Sequence, residues 1–263
     1  MKLSIVIPAR NEAGNIGTTI DELREFLIRE AIPYEIVVVD DGSTDGTALE
    51  VSGRARLDPN ITLVHNPGRN GLGRAIRCGL DHFSGDAVVI CMADASDSPE
   101  DVIKYYHILK DQADCAFGSR WIRDGNVSGY PILKRVINRL SNTFIRLLFG
   151  IPYNDITNAF KGYRRYVIDG CRPLLSPHFN ITVEIPLKAM VRGYSYSVVP
   201  ISWQNRKLGQ SSLKIQEMGS RYLFIVLIVW LEKLLTKGDY HRQDKETLQR
   251  RDSCKAQKTD IAI

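Results

Sequence analysis

The chain has 263 residues, 44% of them apolar, with 35 Lys and Arg against 30 Asp and Glu. This composition excludes a disordered, collagen-like or coiled-coil protein and fits one large core or two closely packed halves. It also excludes a polytopic membrane protein, because each span needs about 20 consecutive apolar residues and no run here is that long.

Leu3 to Ile7 is a short apolar, β-branched run that stops at Pro8. It is too short for the apolar core of a signal peptide and is expected to be a buried strand of a cytoplasmic protein. Ile16 to Arg29 follows, with Ile16, Ile20, Leu23, Phe26 and Leu27 at helical spacing. Glu35 to Val39 and Ala87 to Cys91 repeat the strand pattern, and Thr47 to Arg56 and Gly73 to His82 repeat the helical one. The alternation predicts an α/β fold, a mostly parallel central sheet with helices on both faces and functional groups where the strands end. The three strand ends are Pro8-Ala9-Arg10-Asn11-Glu12, Asp40-Asp41-Gly42-Ser43-Thr44-Asp45 and Ala93-Asp94-Ala95-Ser96-Asp97. Capping of the helix near Thr47 by Ser43, Thr44 or Asp45 accounts for one acid, not for three clusters on one edge.

Gly68-Arg69-Asn70-Gly71-Leu72-Gly73 lacks the Lys-Ser/Thr of a P-loop and the spacing of a dinucleotide fingerprint. It supports a close approach of backbone to a ligand and a helix amino terminus near Gly73 that favours an anion. Beyond Lys110, the pattern predicts a strand at Asp114 to Gly118, helices at Leu133 to Leu148 and Ile181 to Val191, and a strand at Ser197 to Ile201. Residues 1–118 form a first half, and 119–215 complete the sheet and supply a second subsite. Between Arg120 and Phe149 stand Arg120, Arg123, Lys134, Arg135, Arg139 and Arg146 against Asp124 alone, so this segment holds as much net charge as the whole chain, +5. Such a patch suits phosphate or anionic lipid, or else a solvated helix face, while the overall charge is too small to imply nucleic acid.

Residues 216–237 contain an apolar run from Tyr222 to Leu231 bordered by Arg221 and Lys233. It is too short to span a bilayer and has the make-up of a helix lying in a membrane interface; a core helix, a second copy of the chain or a membrane-protein partner is the alternative. Residues 238–263 turn polar without periodicity and are expected to be disordered. Five cysteines, Cys78, Cys91, Cys115, Cys171 and Cys254, show no metal-ligand spacing and read as reduced thiols.

Taken together, Ile5-Val6-Ile7-Pro8-Ala9-Arg10-Asn11-Glu12, Val38-Val39-Asp40-Asp41-Gly42-Ser43-Thr44-Asp45-Gly46-Thr47 and Asn70-Gly71-Leu72-Gly73-Arg74-Ala75 resemble, in order and spacing, the family 2 glycosyltransferases of GT-A fold. Within them the chain is most similar to the dolichol-phosphate mannose synthase group, over roughly residues 3–215. The resemblance implies inverting transfer of a sugar from a GDP- or UDP-sugar to a polyprenyl phosphate by an enzyme peripheral on the cytoplasmic face of a membrane. It implies that Pro8, Ala9, Arg10, Glu12, Asp40, Asp41, Gly71 and Gly73 serve the donor. Asp94 matches the aspartate that holds Mg²⁺ or Mn²⁺ on the donor diphosphate, where a hard cation offsets the charge of the leaving group. The group's Asp-Ala-Asp is here Met92-Ala93-Asp94, with Ser96 where a Gln is usual, and Asp97 is the compensating ligand, directly or through water, or else a helix cap.

Arg120, with Lys134 and Arg135, matches positions that bind the donor pyrophosphate and the acceptor phosphate, and Arg meets phosphate oxygens in pairs. Asn154-Asp155-Ile156-Thr157-Asn158-Ala159-Phe160-Lys161 resembles the group's Asp-x-Thr-Ser-Gly-Phe-Arg element. Glu184, Arg206, Ser211 and Lys214 resemble the acceptor side. Asp94, Arg120 and Arg135 are the catalytic candidates. A sugar-hydroxyl acceptor needs a base instead, for which Asp155 or Glu184 is the candidate. A saccharide-directed transferase and a catalytically silent nucleotide-sugar-binding subunit are the alternatives.

Overall fold

The computed structural model describes residues 1–204 and 215–242. In chain order the elements are β1 Leu3–Ala9, α1 Ile16–Arg29, β2 Tyr34–Asp40, α2 Thr47–Leu57, β3 Ile61–His65, α3 Leu72–His82, β4 Ala87–Ile90, α4 Pro99–Asp111 and β5 Cys115–Ser119. They continue with β6 Asn126–Ser128, α5 Ile132–Phe149, β7 Lys161–Arg164, α6 Arg165–Cys171, α7 Ile181–Val191, β8 Tyr196–Pro200, β9 Ser202–Gln204 and α8 Ile215–Leu235. The sequence pattern anticipates neither β3, nor β7, nor α6.

Seven strands form one sheet in the order β3-β2-β1-β4-β7-β5-β8, and β6 pairs with β9 in a two-stranded ribbon. All pairs of the large sheet are parallel except those of β7, which runs against both β4 and β5. Every residue of β1 is buried, as a central strand covered on both faces requires. The period of two then sorts side chains by face. Leu3, Ile5 and Ile7 join α1 and α4 residues such as Ile16, Ile20 and Tyr105, whereas Val6, Val37 and Val88 join Ile76, Ile185 and Ile225 on the other side.

Register lines up the strand ends. Ala9 stands opposite Asp40, and Asp40 opposite His65, so β1, β2 and β3 finish level. Because β7 is antiparallel, it begins where its neighbours end, and Lys161 lies beside Ile90 of β4 and Phe117 of β5. The segment leading into β7 is thereby delivered to the same edge as Asp40 and Asp94. Among the described residues, Cys78, Cys91, Cys115 and Cys171 are buried free thiols. Tyr240 and Arg242, in the segment expected to be disordered, lie against the body: Arg242 donates to Asp114 Oδ2 at 2.5 Å and the Arg192 guanidinium sits 5.2 Å from the Tyr240 ring.

Candidate active site

The first two strand-end loops are laced together. Asn11, with φ 54°, receives the Thr44 N–H on its Oδ1 at 2.8 Å and donates its own N–H to Ser43 Oγ at 3.1 Å. Glu12 N–H reaches Thr47 Oγ1 at 2.9 Å, and Asp45 takes the Ala13 and Thr47 N–H groups at 3.1 and 3.0 Å. Ser43, Thr44, Asp45 and Thr47 thus shape the crevice wall. Pro8 and Ala9 are buried within β1, and Arg10 is exposed just beyond it.

Asp40 and Asp41 divide the work. Asp40, 6% exposed, accepts the Ser43 N–H at 3.1 Å and faces His65 Nδ1 at 3.2 Å. Asp41 accepts the Gly71 N–H at 2.7 Å and Asn66 Nδ2 at 2.6 Å, which clamps the glycine loop to the strand end. The glycines answer to protein as well as to any ligand. A Cβ on Gly73 would lie 2.3 Å from Ser176 O, and one on Gly71, whose φ is 155°, would lie 2.5 Å from Pro177 O. Across this contact, a cavity of about 480 Å³ opens between the Leu175–Asn180 loop and α8, lined by Ser176, His178, Arg221 and Phe224 among others.

After β4, Asp94 is partly exposed and accepts the Ser96 N–H at 3.2 Å around Ala95, whose φ is 54°. Asp97 does not cap α4. Its Oδ2 accepts the Met92 N–H at 2.9 Å, and its backbone bridges to Trp203 of β9. Withdrawal from solvent pushes the Asp97 carboxyl up to about 7; the Asp94 and Asp101 carboxylates add to this, and the Met92 N–H and Arg120 oppose it. Among the described residues, no group of three or more His, Cys, Asp or Glu side chains could by itself hold a metal ion. One or two carboxylates completed by substrate phosphates and water is nevertheless the ordinary way of holding Mg²⁺, and Asp94 with Asp97 fits that pattern.

The opposite wall is cationic. Arg120, directly after β5 and 7% exposed, makes a bidentate pair with fully buried Asp155: Nε to Oδ2 and Nη2 to Oδ1, each 2.8 Å, with the Arg120 N–H on Oδ2 at 3.0 Å. Burial works against the guanidinium charge, but the Asp155 pair outweighs it and Arg120 stays protonated. Its guanidinium lies 5.5 Å from the Tyr130 ring and 5.7 Å from Trp121. Arg135 and Arg139 approach the same indole at 5.1 and 5.5 Å. Trp121 Nε1 and Arg139 Nη1 are buried without a hydrogen-bond partner among the described residues. Lys134 sits about 100° round the helix from Arg135 and makes no such contact among the described residues. Arg139 and Trp121 are therefore functional candidates that motif matching passes over; the signal in the sequence was the i, i+4 spacing of Arg135 and Arg139.

Of the remaining acceptor-side candidates, Glu184 is locked into protein. Glu184 is fully buried, with the Leu175 and Ser176 N–H groups and Lys188 Nζ each at 2.7 Å from its oxygens. Lys161, pulled down to about 7 by burial, donates to the carbonyls of Ile156, Asn158 and Thr182 and fixes the Asp155 loop from below. Arg206, Ser211 and Lys214 fall outside the described residues.

Comparison with known proteins now places this geometry. The model of the family described as Glycosyl transferase family 2 matches residues 4–171. The chain is 32% identical over 216 residues to a polyprenol monophosphomannose synthase of Mycolicibacterium smegmatis, covering 80% of each protein. It is 30% identical over 223 residues to an undecaprenyl-phosphate mannosyltransferase of Micrococcus luteus, covering 81% of this chain and 88% of the relative. Among solved structures, glucosyl-3-phosphoglycerate synthase from Mycobacterium tuberculosis in complex with phosphoglyceric acid aligns with a TM-score of 0.66 at 19% identity, over 88% of this chain and 79% of that one. The same enzyme crystallised with Mg²⁺ and uridine diphosphate gives 0.65 at 18% identity, with the same coverage. The architecture is the GT-A type that the motifs imply.

Proposed function

Because the chain belongs to glycosyl transferase family 2 and is a glycosyltransferase, we propose that it transfers a sugar, with inversion, from a GDP- or UDP-sugar to a polyprenyl phosphate. The observation that carries this reading is the state of the two acids that a hydroxyl acceptor would need. Asp155 and Glu184 are both fully buried and held in ion pairs, at 2.8 Å to Arg120 and 2.7 Å to Lys188. Neither is placed to take a proton from a substrate. What faces the crevice from that side is cationic, which is what an acceptor already anionic at neutral pH requires. The two mannosyltransferase relatives, whose names specify polyprenol or undecaprenyl phosphate chemistry, support the same class of acceptor.

In this mechanism Asp40 meets the nucleoside beside the loop laced by Asn11 and Ser43, and Asp41 keeps the Gly71 to Gly73 segment in place. Arg10 and Glu12 border the same pocket. Asp94 and Asp97 would hold a divalent cation. The cation, when bound, offsets the charge that develops on the departing nucleoside diphosphate. Arg120, fixed in orientation by Asp155, meets the donor pyrophosphate. Arg135 and Arg139 align the acceptor phosphate, one of whose oxygens forms the new bond to the anomeric carbon as the bond to the diphosphate oxygen breaks. Proximity and charge neutralisation between two phosphates are the main demands of the step.

The test incubates the purified protein with Mg²⁺ or Mn²⁺, radiolabelled GDP- and UDP-sugars and a short polyprenyl phosphate, and counts label entering the organic phase. Label from one donor establishes the reaction and names the sugar. Label that appears only on a saccharide overturns the acceptor assignment. Nucleotide-sugar binding without transfer to either acceptor identifies a silent subunit.

A further inference from the structure

One short loop touches both cationic arms of the crevice. Asp155 and Ile156 are fully buried, and Asp155 holds Arg120 in their bidentate ion pair. Two positions on, a distance of at most about 7 Å along the chain, Thr157 holds helix α5. Its hydroxyl oxygen accepts Asn138 Nδ2 at 2.7 Å and Asn142 Nδ2 at 3.0 Å, and its N–H donates to Asn142 Oδ1 at 3.2 Å. Asn142, 1% exposed, also donates to Asn138 Oδ1 at 3.1 Å, so two amides and the threonine close one small network. The loop itself is held from two further directions: Lys161 Nζ donates to Ile156 O at 2.9 Å, and Thr182 Oγ1 of α7 donates to Thr157 O at 3.4 Å.

The sequence of α5 shows what the network carries. Arg135, Asn138, Arg139 and Asn142 fall within about 100° of one another round the helix, and buried Ile145 and Phe149 continue that face toward its carboxyl end. The inward face is thus apolar in its second half and polar in its first. Leucine at 138 and 142 would simply extend the apolar part; what the amides add is a set of directed bonds to the loop that also fixes Arg120. Arg135 and Arg139 approach the Trp121 ring but enter no ion pair among the described residues, so the lie of the helix decides where their charges stand.

We infer that Asn138, Asn142 and Thr157 are positioning residues, which set the separation between the donor-side guanidinium of Arg120 and the acceptor-side guanidinium groups of Arg135 and Arg139. Both arms are referred to the same three-residue segment, so the distance between the two bound phosphates is fixed locally, however the rest of the molecule moves. A misplacement of about 1 Å can cost a displacement reaction two orders of magnitude, which is why such a reference is needed. The inference rests on the proposed function in one respect, that Arg135 and Arg139 meet the acceptor phosphate.

The experiment measures kcat, KM for the donor and KM for a short prenyl phosphate, together with calorimetric binding of that prenyl phosphate in the absence of donor. It compares the parent with Thr157→Val, Thr157→Ser, Asn142→Ala and Asn138→Ala. Thr157→Val keeps the volume and removes the hydroxyl; it should raise the acceptor KM and weaken prenyl phosphate binding about tenfold, with the donor KM within about twofold of the parent. Asn142→Ala should act alike. Thr157→Ser, which keeps the hydroxyl, should recover the acceptor KM to within about twofold. Asn138→Ala leaves both Asn142 bonds to Thr157 in place and gives the same readout at about threefold, should the other variants fail to fold. In an Arg135→Ala/Arg139→Ala background, Thr157→Val should change the acceptor KM by less than about twofold, because the groups it positions are gone. Parent-like acceptor KM in Thr157→Val, an equal loss toward donor and acceptor, or a full further loss in the arginine-free background would each overturn the inference. Weaker prenyl phosphate binding in Thr157→Val, with no transfer by the parent, would sustain the positioning and reject the proposed reaction. A parent that binds no prenyl phosphate would overturn both.

Discussion

At the amino edge of the sheet, where β1, β2 and β4 begin, Glu35 receives Lys2 Nζ at 2.7 Å, Ser4 Oγ at 2.6 Å, the Gly85 N–H at 3.1 Å and both the N–H and hydroxyl of Ser84. Asp114, before β5, is enclosed in the same manner by the Ser195 N–H and hydroxyl at 2.8 and 2.7 Å, Tyr166 and Arg242. At the carboxyl edge Asp94 stays partly exposed beside a left-handed turn, and Asp40 points one oxygen at an exposed histidine. The same residue type does opposite things at the two ends of the same strands. Where donors from neighbouring strands enclose a carboxylate, the acid ties those strands together; where the carboxylate stays partly exposed, as Asp94 does, it is within reach of cations.

Asp94→Asn attacks the open edge and carries the largest expected effect. Transfer should fall by about three orders of magnitude, equivalent to about 4 kcal/mol of transition-state stabilisation, with unfolding free energy unchanged within about 0.5 kcal/mol. Radiolabel transfer and urea titration on the same preparation measure both, and retained activity would remove Asp94 from the metal role. Asp155→Asn shows that the carboxyl edge has its own staple. It strands the Arg120 charge in a site only 7% exposed and should cost about 3 kcal/mol of stability by urea unfolding. An undiminished midpoint would mean that Arg120 can turn to solvent.

Glu35→Gln sharpens the other half of the contrast. Partial burial raises the Glu35 carboxyl, but hydrogen bonds from Lys2, Ser4 and Ser84 more than offset this and hold it at about 2, against 4.5 in an unfolded chain. A carboxylate depressed on folding contributes its stability above the unfolded value and loses it as the pH falls. The parent should therefore exceed the variant by about 2 kcal/mol at pH 7, with the gap closing between pH 4.5 and 2 and transfer per folded molecule equal in the two. A gap independent of pH would show that packing, not ionisation, is at stake. Leu57→Ser, on an 86% exposed side chain of α2, should move stability by less than about 0.5 kcal/mol in the same titration.

How far the sequence could be read follows from whether a signal was local. Strands covered on both faces show as unbroken apolar runs, so β1, β2 and β4 are legible, and Ile16–Arg29 and Ile181–Val191 are helices over the predicted bounds. Lys161-Gly162-Tyr163-Arg164 has no such run, although it sits in the middle of the sheet. The crowding that selects Gly162, 2.9 Å from Leu109 and 3.2 Å from Val89 at its absent Cβ, comes from residues far away in the chain. The same distance effect hides the Arg120–Asp155 pair, 35 positions apart, and the reason for Gly73, which meets a loop a hundred residues on. Helical periodicity shows that α5 has two faces, but not which of them the rest of the molecule covers.

The antiparallel strand β7 also dictates an order of events. β4 and β5 are consecutive parallel strands joined through α4, yet they never touch; each waits for Lys161–Arg164 to fill the gap between them. Until about residue 164 is available, a growing chain holds two unpaired inner edges and cannot bring Asp155 to Arg120. Residues 1–118 therefore do not complete their sheet ahead of the residues that follow, and closure of the sheet is a late, non-local event that brings both walls of the crevice together.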